Sequence, residues 1–389
     1  VATLREAVIV DAVRSPIGRR AGALAGTRPD DLAAAVIASL VERTGVDPAA
    51  VEDVVLGCVT QVGEQGYNIG RVASMISGLP VEAAGTSVNR MCGSSMQAAM
   101  QAAHAVMCGT IDVAIAGGVE NMSRVPMGSD GSAEEPFSPR LLERFEIVWQ
   151  GLSAERIAGQ WKLGREELDA LSLRSHQRAV RAMDEGRFAG EIVPVEAVDA
   201  AGVTAVVTED GTPRRDTSAE KLAALPPVFD PEGVITAGNS SQICDGASAA
   251  LITTPARADT LGLRPRARFV SFGLAGVDPV LMLHGNPLAV EKALRGAGLT
   301  LDQIDVIEIN EAFAAVVAQT ARDLGLEDRW DDVNPNGSGI SLGHPLGATG
   351  TRILATLLGE LDRREARYGL ATMCIGWGMA ICGVVERIH

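Results

Sequence analysis

Apolar positions along the chain recur with two periods. Short aliphatic and β-branched runs alternate with longer stretches in which apolar residues return every three or four positions. Ala7–Val13 (AVIVDAV) reads as a strand and Asp30–Gly45 (DDLAAAVIASLVERTG) as a helix. Val51–Val59 reads as a strand, Ser94–Gly109 (SSMQAAMQAAHAVMCG) as a helix and Asp112–Val119 (DVAIAGGV) as a strand. This alternation predicts an α/β fold with a largely parallel, buried sheet. The longest uncharged run, Ala371–Val385 (ATMCIGWGMAICGVV), is shorter than the ~20 residues of a membrane-spanning helix. Its glycines and cysteines predict paired buried strands instead.

The pattern also repeats. Asp31–Gly57 and Pro287–Asn310 each give a helix, a glycine break, an acidic turn and a buried strand. VNRMCGSS near Val88 has an echo in VNPNGSG near Val333, and a helix plus a glycine-ended strand follows both. Two such blocks in the same order predict a duplicated αβ unit. The halves are 1–118 plus 245–264, and 265–389. Between them, 119–244 has a different texture: a Pro/Gly/Ser-rich opening, then polar helices, then TEDGTPRRDTSAEKLAALPPVF. That texture predicts an inserted, more exposed domain whose loops carry substrate contacts.

Composition narrows the class. With 389 residues and 47% hydrophobic content, the chain can bury a large core, and with 3% aromatics the core is aliphatic. A net charge of -15 argues against coating nucleic acid or an anionic membrane. The six cysteines (58, 92, 108, 244, 374, 382) form no CxxC and read as free thiols in a reducing compartment. The first residues carry charge within their apolar stretch and do not resemble a signal peptide. A soluble, cytoplasmic protein is expected, with no nucleic-acid or membrane partner.

Four stretches carry candidate chemistry. Cys92 stands at the start of a helix on which Met96, Ala99, Met100, Ala103 and Met107 share a face. Free amides and the dipole at a helix start stabilise a thiolate or a developing oxyanion; the alternative is a packed structural thiol. His344 lies among glycines 337, 339, 343, 347 and 350, which suits a base that must reach another side chain; the alternative is an exposed loop histidine. Cys374 ends a buried strand at a glycine corner, whereas Cys382 reads as core. Asn310 and Glu311 follow a buried strand and open a helix, facing a cleft or simply capping it.

In combination these stretches resemble the thiolase family over essentially the whole chain. The matching segments are Asn89–Ala98 (NRMCGSSMQA), Ala237–Ala249 (AGNSSQICDGASA), Gly276–Pro279 (GVDP), Asn310–Ala314 (NEAFA), Gly339–Gly350 (GISLGHPLGATG) and Cys374–Gly378 (CIGWG). The resemblance implies a duplicated core of α-β-α-β-α layers with an inserted loop domain. It implies Cys92 as nucleophile towards a 3-ketoacyl-CoA, His344 as its base, and Cys374 as acid and base at the acetyl-CoA carbanion. One oxyanion would meet His344 and a water on Asn310, the other the backbone N–H groups of Cys92 and Gly376. Ser241 and Arg214 would contact coenzyme A, and Met282, Phe229 and Phe313 would line the acyl side. Coenzyme A is a substrate, and no metal or redox cofactor is implied.

The chain also departs from the family pattern. Trp377 and Ala380 stand where the usual CxGGGxG has glycines, and QGLSAER (Gln150–Arg156) replaces the His-Met pair of biosynthetic members. CGSSMQA and GGVENMSRVPM resemble the degradative 3-ketoacyl-CoA thiolases more than the acetoacetyl-CoA-forming branch. A short stretch between Gly118 and Gly151 favours a homodimer over a dimer of dimers. A ketoacyl synthase would need a second histidine in a comparable motif, and a non-catalytic lipid carrier would have lost one of the three reactive residues.

Overall fold

The repeat in the pattern becomes a repeat in space. In the computed structural model, which describes residues 4–131 and 136–388, the first half opens with β1 (Val8–Arg14), the short β2 (Gly18–Arg19) and α1 (Pro29–Thr44). It continues with β3 (Asp53–Gly57), α2 (Ile69–Ile76), β4 (Ala84–Val88), α3 (Ser94–Cys108) and β5 (Val113–Asn121). An excursion follows: α4 (Pro139–Leu142), α5 (Gln150–Trp161), α6 (Arg165–Asp184), the hairpin β6 (Val195–Val198) and β7 (Thr204–Val207), and α7 (Ala219–Ala223). The chain then returns through β8 (Cys244–Thr253) and α8 (Pro255–Thr260). The second half runs β9 (Ala267–Gly276), α9 (Asn286–Ala297), β10 (Val306–Ile309), α10 (Ala314–Leu324), α11 (Gly339–Leu342), α12 (Thr349–Arg364), β11 (Tyr368–Ile375) and β12 (Met379–Arg387).

The strands lie in the order β10-β11-β12-β9-β1-β8-β5-β3-β4. The order reads the same from both ends once the halves are matched, β9 with β1, β12 with β8, β11 with β5 and β10 with β3. Even the β3–β4 pairing has its counterpart, a parallel bridge from Ile307 to Val333. The halves join where Val8 and Ile9 pair with Arg268 and Ala267.

The expectation of a largely parallel sheet is corrected. Only β3–β4, β3–β5 and β10–β11 are parallel ladders, and the others are antiparallel. Helical crossovers bring β4 and β5 back parallel to β3. β12 returns from β11 through a three-residue turn, 376–378, which permits only the antiparallel arrangement.

Helices complete five layers. α1 covers the outer face of β1, β5 and β8, and α9 covers that of β9, β11 and β12. Between the half-sheets lie α3 and α12, which touch each other and strands of both halves. The expected apolar face of α3 is there: Met96, Ala99 and Ala103 are fully buried and pack with Ile353, Leu354 and Leu357 of α12. The excursion is tied back by charge. Fully buried Arg14 on β1 holds Asp210 at 2.6 and 2.8 Å and Glu191 at 2.6 Å. Among the described residues, no helix is long and apolar enough to cross a membrane.

Candidate active site

Both central helices begin at the same place. Gly350, at the start of α12, lies so close to the start of α3 that an added Cβ would sit 2.7 Å from Met96 Cβ. The Thr351 N–H donates to Ser95 Oγ at 3.0 Å. Cys92 precedes α3 and His344 precedes α12, so corresponding positions of the two halves converge.

Cys92 is half-buried, one residue before the N-cap Gly93. The N–H groups of Gly376 and of Cys92 itself lie near its Sγ, and both favour the thiolate. Burial outweighs them and pushes the thiol up to about 11, with the negative charge of Glu120 adding to the rise. The helix-start expectation of a stabilised thiolate is thereby corrected: desolvation dominates, and the resting group is a thiol.

His344 is buried in the glycine-rich turn, not exposed on a loop. Its Nδ1 lies 2.6 Å from Thr349 Oγ1. That hydroxyl gives its single proton to Pro345 O at 2.8 Å, so Nδ1–H must be the donor to Oγ1. The network therefore assigns the free lone pair to Nε2. Burial, then the positive charge of Arg352, lowers the imidazole to about 3, which keeps it neutral. Nε2 lies 3.4 Å from Asn310 Nδ2.

Asn310 is no helix cap, because α10 begins beyond its N-cap Phe313. Asn310 lies against Gly339, where an added Cβ would sit 2.9 Å from its Oδ1. Neighbouring Glu311 accepts from Asn334 Nδ2 at 3.0 Å and Ile340 N at 3.2 Å, which binds this loop to the turn that leads to His344. Cys374 ends β11 fully buried, and burial together with nearby Cys92 pushes its thiol well up. The structure thus pairs the imidazole with the primary amide, and the two thiols with each other and with the Gly376 N–H.

Comparison with known proteins decides the family. The thiolase N-terminal domain family model matches residues 7–256 and the thiolase C-terminal domain model 263–387. The chain belongs to the thiolase family. A 3-ketoacyl-CoA thiolase of Shewanella sp. (strain MR-7) is 46% identical, over 99% of this chain and 100% of that one. One from Photobacterium profundum is 44% identical with the same coverage. The crystal structure of the Bacillus anthracis acetyl-CoA acetyltransferase superposes with a TM-score of 0.92 at 37% identity, over 100% of both chains.

The other expected thiolase positions divide into two groups. Met282 and Phe313 are buried in one apolar cluster with Cys374, and the Phe229 ring meets Phe313 edge-on at 6.1 Å. Ser241 donates its N–H to Ala312 O at 2.9 Å, alongside the Asn310 loop. Arg214 is not in this group. It is exposed, on a cavity of about 320 Å3 that His176, Arg181 and Arg215 also line. A larger surface cavity, about 800 Å3, is lined by none of these residues.

Both departures from the family pattern are placed. Ala380 is buried in the outer core with Cys382, away from Cys92. Trp377 is half-buried with φ 69°, and its ring meets Phe137 edge-on at 5.0 Å. Two neighbours escaped the sequence reading, and a third, Gln150, enters it only as part of the QGLSAER departure. Thr349 sets the His344 tautomer. Cys244 accepts the His344 backbone N–H. Gln150 Nε2 reaches within 3.7 Å of where a Gly376 Cβ would be. Thr349 had a signal, its place five residues after the histidine within the glycine-rich motif; Cys244 had none.

Proposed function

We propose that this chain is a degradative thiolase that cleaves 3-ketoacyl-CoA with coenzyme A, through an acyl group carried on Cys92. The observation that carries the reading is that the Cys92 thiol lies near the Gly376 N–H and Cys374, at the shared start of the two central helices, where the turn leading into the second holds the unprotonated Nε2 of His344 against Asn310. Full-length relatives named 3-ketoacyl-CoA thiolase support it.

Cys92 Sγ attacks the keto carbon C3 and its proton passes to His344 Nε2. The N–H groups of Cys92 and Gly376 hold the resulting C3 oxyanion. The C2–C3 bond then breaks and its electron pair moves onto the acetyl-CoA fragment. The imidazolium N–H and Asn310 Nδ2 face the enolate oxygen, and Cys374 delivers the proton to C2. Coenzyme A then gives its thiol proton to the Cys374 thiolate and attacks the thioester; the Cys92–acyl bond breaks, Cys92 takes back the proton from His344, and an acyl-CoA two carbons shorter leaves. A resting thiol and a neutral imidazole suit this sequence, because the proton moves only as the new bond forms. Nucleophile, base and acid are all side chains, so the reading calls for no cofactor.

Arg214 beside Arg181 and Arg215 offers an acidic protein a local site for the coenzyme A phosphates. The setting we infer is fatty-acid β-oxidation in the cytoplasm, as a homodimer. The free thiols support the compartment. The open edge strand β4, near exposed Met75 and Ile76, supports the dimer. The likeness to the Bacillus anthracis acetyl-CoA acetyltransferase favours a second reading, in which the same site condenses two acetyl-CoA.

Cleavage of acetoacetyl-CoA and of a long-chain 3-ketoacyl-CoA, by wild type and Cys92→Ser, tests both. Cleavage of both by wild type alone is expected. Cleavage of acetoacetyl-CoA only moves the reading to the condensing branch, and cleavage of neither refutes it.

A further inference from the structure

Glu120, near the end of β5, has no solvent exposure. Burial pushes its carboxyl up, yet four N–H groups converge on it. Oε2 accepts from Val59 N and from Gly347 N, each at 2.9 Å. Oε1 accepts from Thr60 N at 3.0 Å and from Gln65 Nε2 at 2.8 Å. The four donors each favour the ionised carboxylate against the burial that opposes it.

Two of those donors lead to the reacting groups. Gly347 lies in the turn that carries His344, and it is wedged into the first half: an added Cβ would sit 2.7 Å from both Gly57 O and Cys58 Cα. From Val59 the path runs the other way. Val59 O accepts from Asn89 Nδ2 at 3.0 Å, and Asn89 Oδ1 accepts from Met91 N at 2.8 Å. Met91, held at φ 45°, directly precedes Cys92. Val59, Met122 and Leu346 fill the space between the arms and pack against Met91 and Cys92.

We propose that Glu120 is a positioning residue for acyl transfer: one buried carboxylate holds the nucleophile turn of the first half and the base turn of the second half in register. It touches neither substrate nor thiol and acts through Gly347 and Asn89. The proposal rests on the roles given above to Cys92 and His344.

Glu120→Gln keeps the shape but turns one acceptor into an N–H donor facing other N–H donors. Displacement of the two turns by about 1 Å is enough to cost on the order of 100-fold in rate. The test compares kcat, KM for coenzyme A and the circular dichroism of Glu120→Gln with wild type in 3-ketoacyl-CoA cleavage. Expected is a folded variant with kcat lowered at least about tenfold and KM within about twofold. A folded variant with wild-type kcat overturns the proposal. Where Glu120→Gln does not fold, Asn89→Ala severs only the arm towards Cys92. Slowed single-turnover acylation of Cys92 is then expected, and unchanged acylation overturns the proposal. A wild-type chain that cleaves no 3-ketoacyl-CoA removes the underlying reading itself, an outcome distinct from an active wild type with an unimpaired variant.

Discussion

Replacing Trp377 with glycine should change what the site accepts more than how well the chain folds. Trp377 sits in the turn between β11 and β12 at φ 69°, a left-handed conformation that costs a residue with a Cβ about 1–2 kcal/mol. Glycine removes that strain but gains freedom in the unfolded chain, worth about 0.5–1 kcal/mol. The edge-on contact with Phe137, centroids 5.0 Å apart, is worth about 0.5–1.5 kcal/mol, and the half-buried ring contributes about 1 kcal/mol more. These terms nearly cancel and leave a net loss of about 1 kcal/mol, or about 1 °C in a thermal melt of a chain this long. The ring also follows Gly376, whose N–H meets the Cys92 sulfur. Its removal should therefore raise the ratio of kcat/KM for a long-chain 3-ketoacyl-CoA over acetoacetyl-CoA by about tenfold or more. A steady-state comparison of the two substrates reads this directly. An unchanged ratio would show that the ring faces away from the acyl path. A melt lowered by more than about 10 °C would refute the strain-relief reasoning.

Three other perturbations have defined outcomes. Thr349→Val leaves His344 Nδ1–H without its acceptor, so kcat should fall about 100-fold with KM little changed, as steady-state kinetics will report. Asp210→Ala leaves the buried Arg14 paired with Glu191 alone and strips two charge-assisted hydrogen bonds from its guanidinium, which should cost about 3 kcal/mol in urea unfolding. His176, buried on α6 with Nδ1 accepting from Arg214 N, is lowered by burial to about 4. Its contribution is complete above the unfolded value of about 6.5 and is lost as pH falls towards 4. His176→Asn keeps an acceptor without titrating, so between pH 7 and 4.5 it should lose roughly 2 kcal/mol less stability than wild type. Equal losses would show that His176 is not the titrating group.

What could be read from the sequence depended on whether a residue's partners lie close along the chain. Cys92, His344 and Cys374 each stand at a glycine-flanked corner, and the corners are visible as composition. Thr349 is five positions from His344, yet its role depends on a proton already committed to Pro345. Glu120 lies inside an apolar strand and acts on backbone N–H groups 61 and 227 positions away, and such donors leave no mark in side-chain identity. The thiol of Cys92 shows the same limit energetically. The helix start is legible in the pattern, whereas the burial that outweighs it depends on β11 and β12 arriving from the far end of the chain. The alternation of strand and helix gave the layers but not the strand directions, because periodicity carries no information on how a chain returns.

The matching of the two halves, β9 with β1 and α12 with α3, makes the catalyst a boundary object. The sulfur belongs to one copy of the duplicated unit, while the imidazole, the amide and the second thiol belong to the other. On the roles proposed above, neither copy holds a nucleophile together with its base, so the proposed reactivity requires a closed seam. Any loosening between the halves switches off the chemistry before it unfolds either one, and catalytic rate becomes a more sensitive gauge of that seam than a melting curve.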